Sequence, residues 1–197
     1  MRKHINRVSQ SKFVADINQH FTELAGSTFA TAVVGTFFAS TRSLQLCTAG
    51  HPQPLLFRQK SGNWETCVPR DQNPNALADL PLGITQGVEY QQSQVTLNPG
   101  DMMLAYTDGV TEIRLADNHL LNTSGLRLLA QSLSGTEPER FLSALVDQVC
   151  QNATAPIDDD LTLMLLRSDG TTTAFRDNLL APLRILRGGR DKTRFRE

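Results

Sequence analysis

The chain has 197 residues, of which 40% are hydrophobic and 20% charged. That is enough for one ordinary domain with a substantial core, and the balance is that of a globular protein. A formal net charge of −1 creates no global field that would draw the chain to nucleic acid or to an anionic membrane.

Cys47, Cys67 and Cys150 stand far apart and form no Cys-x-x-Cys pair. This argues against a disulfide framework or a zinc knuckle and points to a reducing cytoplasm. Cys47 and Cys150 sit in apolar surroundings and read as small core residues. The basic start, Met1 to Asn6, is followed by no apolar signal core, and no apolar run approaches membrane-spanning length.

Ser11 to Ala25 reads as an amphipathic helix capped by Ser11 and stopped by Gly26. Phe13, Ile17, Phe21 and Leu24 share one face; Asp16, Gln19 and Glu23 share the other. Thr28 to Ala39 is uncharged and rich in Thr, Val and Phe, which predicts a buried strand. Ser43 to Thr48 and Pro54 to Gln59 alternate, and Gly62-Asn63 marks a turn into a strand at Trp64 to Val68. Pro69 to Leu80 is polar and reads as a mobile loop.

Tyr90 to Leu97 alternates again, and Asn98-Pro99-Gly100-Asp101 is a tight turn. Met102 to Tyr106 is a short apolar strand. Ser124 to Leu133 and Glu137 to Cys150 read as helices, with Phe141, Leu145 and Val149 at four-residue spacing. Leu161 to Leu166 reads as a second buried strand. Connections this short exclude crossover helices between strands, so the fold class is α+β with mostly antiparallel sheets. Three segments are expected: an N-terminal extension over 1–10, the domain over 11–167, and a basic tail over 168–197. The tail reads either as a frayed end or as a docking segment.

Two acidic corners carry the candidate chemistry. Asp108 directly follows the apolar strand and precedes Gly109, which leaves room for a ligand beside it. Taken alone, Thr107-Asp108-Gly109 is also an ordinary turn. Asp158-Asp159-Asp160 precedes the second apolar strand. Adjacent carboxylates repel unless solvent or cations offset them, and hard oxygen donors favour magnesium or manganese over zinc. The spacing excludes an EF-hand loop. If the two strands are neighbours ending on one edge, the corners converge.

With their flanks, these residues resemble the SpoIIE/RsbU-like branch of the metal-dependent (PPM-type) serine/threonine phosphatases. The matching stretches, in chain order, are Thr48-Ala49-Gly50-His51-Pro52-Gln53-Pro54-Leu55-Leu56, Leu80-Pro81-Leu82-Gly83-Ile84 and Leu97-Asn98-Pro99-Gly100-Asp101. They continue with Tyr106-Thr107-Asp108-Gly109-Val110-Thr111-Glu112 and Asp159-Asp160-Leu161-Thr162-Leu163. The resemblance covers about Ser11 to Arg167. It implies a β-sandwich flanked by helices and hydrolysis of phosphoserine or phosphothreonine with two manganese or magnesium ions. Asp108 and Asp159 would be metal ligands, with Asp160 a supporting neighbour. His51 is expected to make a structural hydrogen bond to the backbone, and Glu112 to be solvated or to cap local structure. The implied partner is a phosphoprotein such as an anti-sigma-factor antagonist.

The family's first metal motifs, a Gly-Gly-Asp-type stretch and a strand-end Asp before a Gly-Lys-Gly-type segment, have no counterpart before Thr28. The resemblance therefore implies an N-terminally truncated domain with an exposed apolar sheet edge, open to self-association or to a completing partner. Three readings compete: a phosphatase domain, a pseudophosphatase that binds a partner without turnover, and a plain α+β domain with acidic turns.

Overall fold

The computed structural model describes residues 9–24, 28–67, 79–157 and 159–170. The first helix, α1, spans Gln10–Leu24. Strands β1 (Ala32–Phe38), β2 (Ser43–Ala49), β3 (Leu55–Arg58) and β4 (Asn63–Thr66) follow. Then come β5 (Gln92–Thr96), β6 (Met102–Tyr106), α2 (Asp108–Thr111), α3 (Asn122–Ser132), α4 (Pro138–Asn152) and β7 (Leu163–Arg167).

The strands form two sheets, ordered β1-β2-β5 and β4-β3-β6-β7, and every strand pair is antiparallel. Strand periodicity builds four layers from them, because successive side chains point to opposite faces. Leu44 and Leu46 of β2, Leu56 of β3 and Met103 of β6 meet between the sheets with Cys67 and Leu97. On the outer face of the second sheet, Leu55, Phe57, Leu104 and Tyr106 pack with Leu126, Phe141, Leu145 and Val149 of α3 and α4. On the outer face of the first sheet, Cys47 and Ala49 pack with Val14 of α1. The expected β-sandwich flanked by helices is the observed architecture.

Several local expectations shift. The centre of the α1 core face is Val14, 1% exposed, one residue off the expected apolar row; Phe13, Ile17 and Phe21 are only partly buried. Beside Val14 on that face lies a polar residue, Asn18, also 1% exposed. It is tolerated because both ends of its amide are satisfied: Nδ2 donates to the Thr85 carbonyl at 2.8 Å and Oδ1 accepts the Gly83 N–H at 2.9 Å. The helix starts one residue before Ser11, and Ser9 Oγ accepts from the Lys12 N–H at 3.4 Å.

The strands expected to be buried at either end of the pattern, β1 and β7, are sheet edges and are half-buried. Met164 of β7 is 52% exposed. Conversely, β2 is buried along nearly its whole length, because it is the central strand of its sheet. Cys150, expected in the core, is exposed at the end of α4, whereas Cys47 and Cys67 are buried; all three are free. The expected loop at Pro69–Leu80 and the basic tail fall mostly outside the described residues. Among the described residues, no helix is long and apolar enough to cross a membrane.

Asp101 closes the turn after Gly100, whose φ of +86° suits glycine. Its carboxylate is 2% exposed and accepts the Gln59 N–H at 2.9 Å, the Asn98 N–H at 3.0 Å and Arg58 Nη1 at 3.3 Å. Arg58 also donates to the Thr96 carbonyl at 2.8 Å and to Glu65 at 2.6 Å. The group thus ties the end of β5 in one sheet to the end of β3 in the other.

Candidate metal and phosphate site

The pairing of β6 with β7 builds the site. Tyr106 lies opposite Leu163, so the chain leaving β6 and the chain entering β7 run along one another at the same edge. Five buried residues, Met102 to Tyr106, anchor that edge. Each fully buried leucine-sized side chain contributes about 1.5–3 kcal/mol, so the strand end is a rigid platform.

Thr107 extends the pairing past the last strand residue. Its N–H donates to the Thr162 carbonyl at 3.0 Å, and its hydroxyl accepts the Thr162 N–H at 3.0 Å. The same hydroxyl donates to the Asp160 carbonyl at 3.1 Å. Thr107 precedes α2, yet its side chain makes no helix cap; it is spent on the neighbouring segment. The expected turn at Asp108-Gly109 is the start of this one-turn helix.

Gly109 is where the acidic corners meet. A Cβ placed on it would lie 2.9 Å from the Asp160 carbonyl oxygen and 3.1 Å from Asp159 Oδ2. Asp108 is its chain neighbour, and Asp108 Oδ1 accepts the Gly109 N–H at 3.1 Å. Asp159 Oδ1 accepts the Asp160 N–H at 2.8 Å in the same manner. Asp108 and Asp159 are exposed and flank one glycine, each with one oxygen held by the next backbone N–H. The Asp160 backbone steadies both Asp159 and Thr107. Asp158 lies outside the described residues.

The donor set suits a hard divalent cation, because carboxylate oxygens are the ligands that manganese and magnesium take. Among the described residues, no group of three His, Cys, Asp or Glu side chains is placed to hold a metal ion. Asp108 and Asp159 supply two exposed carboxylates of that donor type at this corner.

His51 sits beside this edge. Its Nδ1 is 3.1 Å from Thr31 Oγ1, a side-chain partner in addition to the expected backbone bond, which is to Tyr106. Burial holds its pKa below the ordinary value, against the Tyr106 backbone and the Asp108 and Asp79 carboxylates, which act the other way. The His51 loop is fixed from two sides. Gly50 adopts φ +61°, and a Cβ there would come within 2.5 Å of Pro81. The Tyr106 hydroxyl donates to the Gln53 carbonyl at 2.8 Å. Two stretches that are separate in the sequence, around Gly50 and around Pro81, are thus one packed unit next to Asp108.

A cleft of about 200 Å³ opens against Asp159, lined by Gly109, Glu112, Ile113, Arg114, Ala155, Pro156 and Ile157. Glu112 is exposed on this rim, and its backbone N–H donates to the Asp108 carbonyl at 2.9 Å. Sequence reasoning overlooked Thr107 as the linchpin and Arg114 as a cleft residue. A hydroxyl before Asp-Gly gives a weak signal for the first, and nothing in local pattern marks the second.

The Stage II sporulation protein E (SpoIIE) family matches residues 3–169 of the chain. Phosphoserine phosphatase RsbU of Bacillus subtilis (strain 168) is 25% identical over 165 residues, which cover 84% of this chain and 43% of that protein. Stage II sporulation protein E of the same organism is 25% identical over 96 residues, 48% of this chain and 11% of its own length. The chain therefore spans less than half the length of these curated relatives. Among solved structures, the RsbU and RsbW domains of a Mycobacterium tuberculosis protein align with a TM-score of 0.67 at 24% identity, covering 92% of this chain and 51% of that one. The manganese-presoaked phosphatase domain of the cell fate determinant SpoIIE from Bacillus subtilis aligns at 0.63 with 16% identity, over 87% of this chain and 71% of that one. At these identities the structural likeness is one of fold.

Proposed function

Because this chain belongs to the SpoIIE family, we propose that it is a metal-dependent protein serine/threonine phosphatase domain acting on a regulatory phosphoprotein. The observation that carries this reading is the meeting of Asp108 and Asp159 around Gly109. In this reading the two carboxylates hold manganese or magnesium ions, two in the complete family site. When bound, such ions acidify a water molecule and neutralise phosphate charge.

The chain's own contribution is positioning. Thr107 fixes the spacing of the two corners through its three bonds to residues 160–162. The backbone N–H groups of Gly109 and Asp160 orient one oxygen of each carboxylate and leave the other for a ligand. Holding such groups in a ready geometry removes an entropic cost from the reaction. The substrate class is a phosphorylated regulatory protein such as an anti-sigma-factor antagonist, as the resemblance implies. Three free cysteines support a reducing cytoplasm. The apolar edge strands β1 and β7 support completion of the sheets by a second copy or a partner.

One observation favours the alternative of a non-catalytic, partner-binding relative: the described residues bring two carboxylates together, not a full ligand set. Manganese-dependent hydrolysis of a phosphoserine peptide by the purified chain separates the two readings. Asp108→Ala and Asp159→Ala should each abolish turnover and weaken manganese binding measured by calorimetry. Unchanged manganese affinity in both variants would overturn the metal assignment. Turnover absent from the wild type, with manganese still bound, would favour the non-catalytic reading.

A further inference from the structure

A phosphate ester carries about −1.5 to −2 charges at neutral pH, and the corner it must approach here is acidic. Two exposed carboxylates, Asp108 and Asp159, define that corner, and Glu112 stands on the same rim. Divalent cations would offset part of this repulsion, but a cation that belongs to the chain is also present. Among the described residues, Arg114 is the single basic residue lining the cleft against Asp159, and it is exposed.

Its backbone is tied down. The Arg114 carbonyl accepts the Thr154 N–H at 3.0 Å and the Thr154 hydroxyl at 3.1 Å, and Arg114 bridges to Leu120 across a short antiparallel turn. Its guanidinium has no ion-pair partner among the described residues. The arginines that do form ion pairs among the described residues are Arg58, with Glu65 and Asp101, and Arg167, with Glu139. A guanidinium matches phosphate oxygens with two parallel N–H donors, which makes it a strong and directional partner. The rest of the cleft wall is Ile113, Ala155, Pro156 and Ile157, an apolar surface suited to the carbon atoms of a peptide rather than to a free ion.

We propose that Arg114 is the residue that binds the phosphoryl group of the substrate, with the apolar wall of the cleft receiving the peptide beside it. This rests on the phosphatase reading for the identity of the ligand, but it concerns binding and can be tested without turnover. The probes are one phosphoserine peptide and its unphosphorylated form. Their binding to wild type, Arg114→Gln and Arg114→Lys would be measured by calorimetry in the presence of manganese.

The wild type should prefer the phosphorylated peptide. Arg114→Gln should lose about ten- to hundred-fold in affinity for that form alone, the worth of a charge-assisted bond. Arg114→Lys should recover part of the loss, because it restores charge but not the fork. An Arg114→Gln variant that keeps its thermal stability and binds the phosphopeptide as the wild type does overturns the inference. So does a wild type with no preference between the peptides. Turnover separates this from the broader reading. A wild type that hydrolyses the peptide with a KM unmoved by Arg114→Gln refutes the role of Arg114 and leaves the phosphatase standing. Arg114-dependent binding without hydrolysis does the reverse.

Discussion

Replacing Gly109 by alanine tests the meeting of the acidic corners with a single methyl group. The new Cβ would lie 2.9 Å from the Asp160 carbonyl oxygen, where an ordinary contact begins at 3.4 Å. The neighbouring segment must therefore give by about 0.5 Å to recover normal van der Waals distance. It is not free to do so, because Thr107 holds Asp160 and Thr162 through three hydrogen bonds.

Overpacking of this kind costs about 1–3 kcal/mol. Gly109 lies inside α2, so alanine regains up to about 1 kcal/mol of helix propensity. The net loss is about 0–2 kcal/mol, which lowers Tm by at most about 8 °C in a chain of this size. The protein stays folded while Asp159 moves away from Asp108. Misplacement by about 1 Å can cost 10²-fold in rate, and half that displacement predicts a loss of about ten-fold in turnover. Two measurements check this: hydrolysis of a phosphoserine peptide, and the increase in Tm on adding manganese. Wild-type turnover together with a wild-type manganese shift in Gly109→Ala would refute the claim that the corners act as one site.

Two other perturbations follow from the structure. Asp101→Ala removes a carboxylate that is 2% exposed and accepts three hydrogen bonds across the sandwich. It should cost about 3 kcal/mol in denaturant unfolding, at the low end for a broken buried pair because Arg58 is partly exposed and keeps Glu65; a loss under about 1 kcal/mol would contradict the clamp. His51 has its pKa depressed by burial, so its neutral form is favoured in the folded state. Its contribution is then fully present above the ordinary value near 6.5 and is lost as pH falls through the lower folded value. In the metal-free protein, the wild type should lose Tm relative to His51→Gln between pH 7 and pH 5; parallel curves would show that burial of the ring does not control its charge.

Much of the architecture was legible in local pattern. Met102 to Tyr106 was delimited to the residue, because five apolar side chains end at a polar threonine and an aspartate. The core face of α4 was also legible, since Phe141, Leu145 and Val149 repeat at helical spacing and are all buried. Burial of individual elements was less legible. Apolar content alone does not distinguish a central strand from an edge, so β1 and β7 read as buried and β2 read as alternating. Cys150 read as core because its neighbours Val149 and Leu145 are apolar, yet it lies a quarter-turn round the helix from Val149 and faces water. Asn18 was invisible because its burial depends on two backbone partners about 65 residues away.

By itself the sequence determined which segments form strands and helices, and that aspartates stand at the ends of two apolar strands. These are consequences of side-chain period, charge and turn chemistry, which act over a few residues. Only the tertiary structure decided that those ends adjoin, that Asp159 rather than Asp160 points its carboxylate at Gly109, and that Arg114 shares their cleft. The first two depend on the antiparallel register of β6 with β7 and on bonds such as that from Thr107 to Asp160, 53 residues apart; the third depends on the bonds from Thr154 to the Arg114 carbonyl. Contacts at that separation are set by how whole sheets and helices bury their apolar faces together, and no local window of residues carries that information.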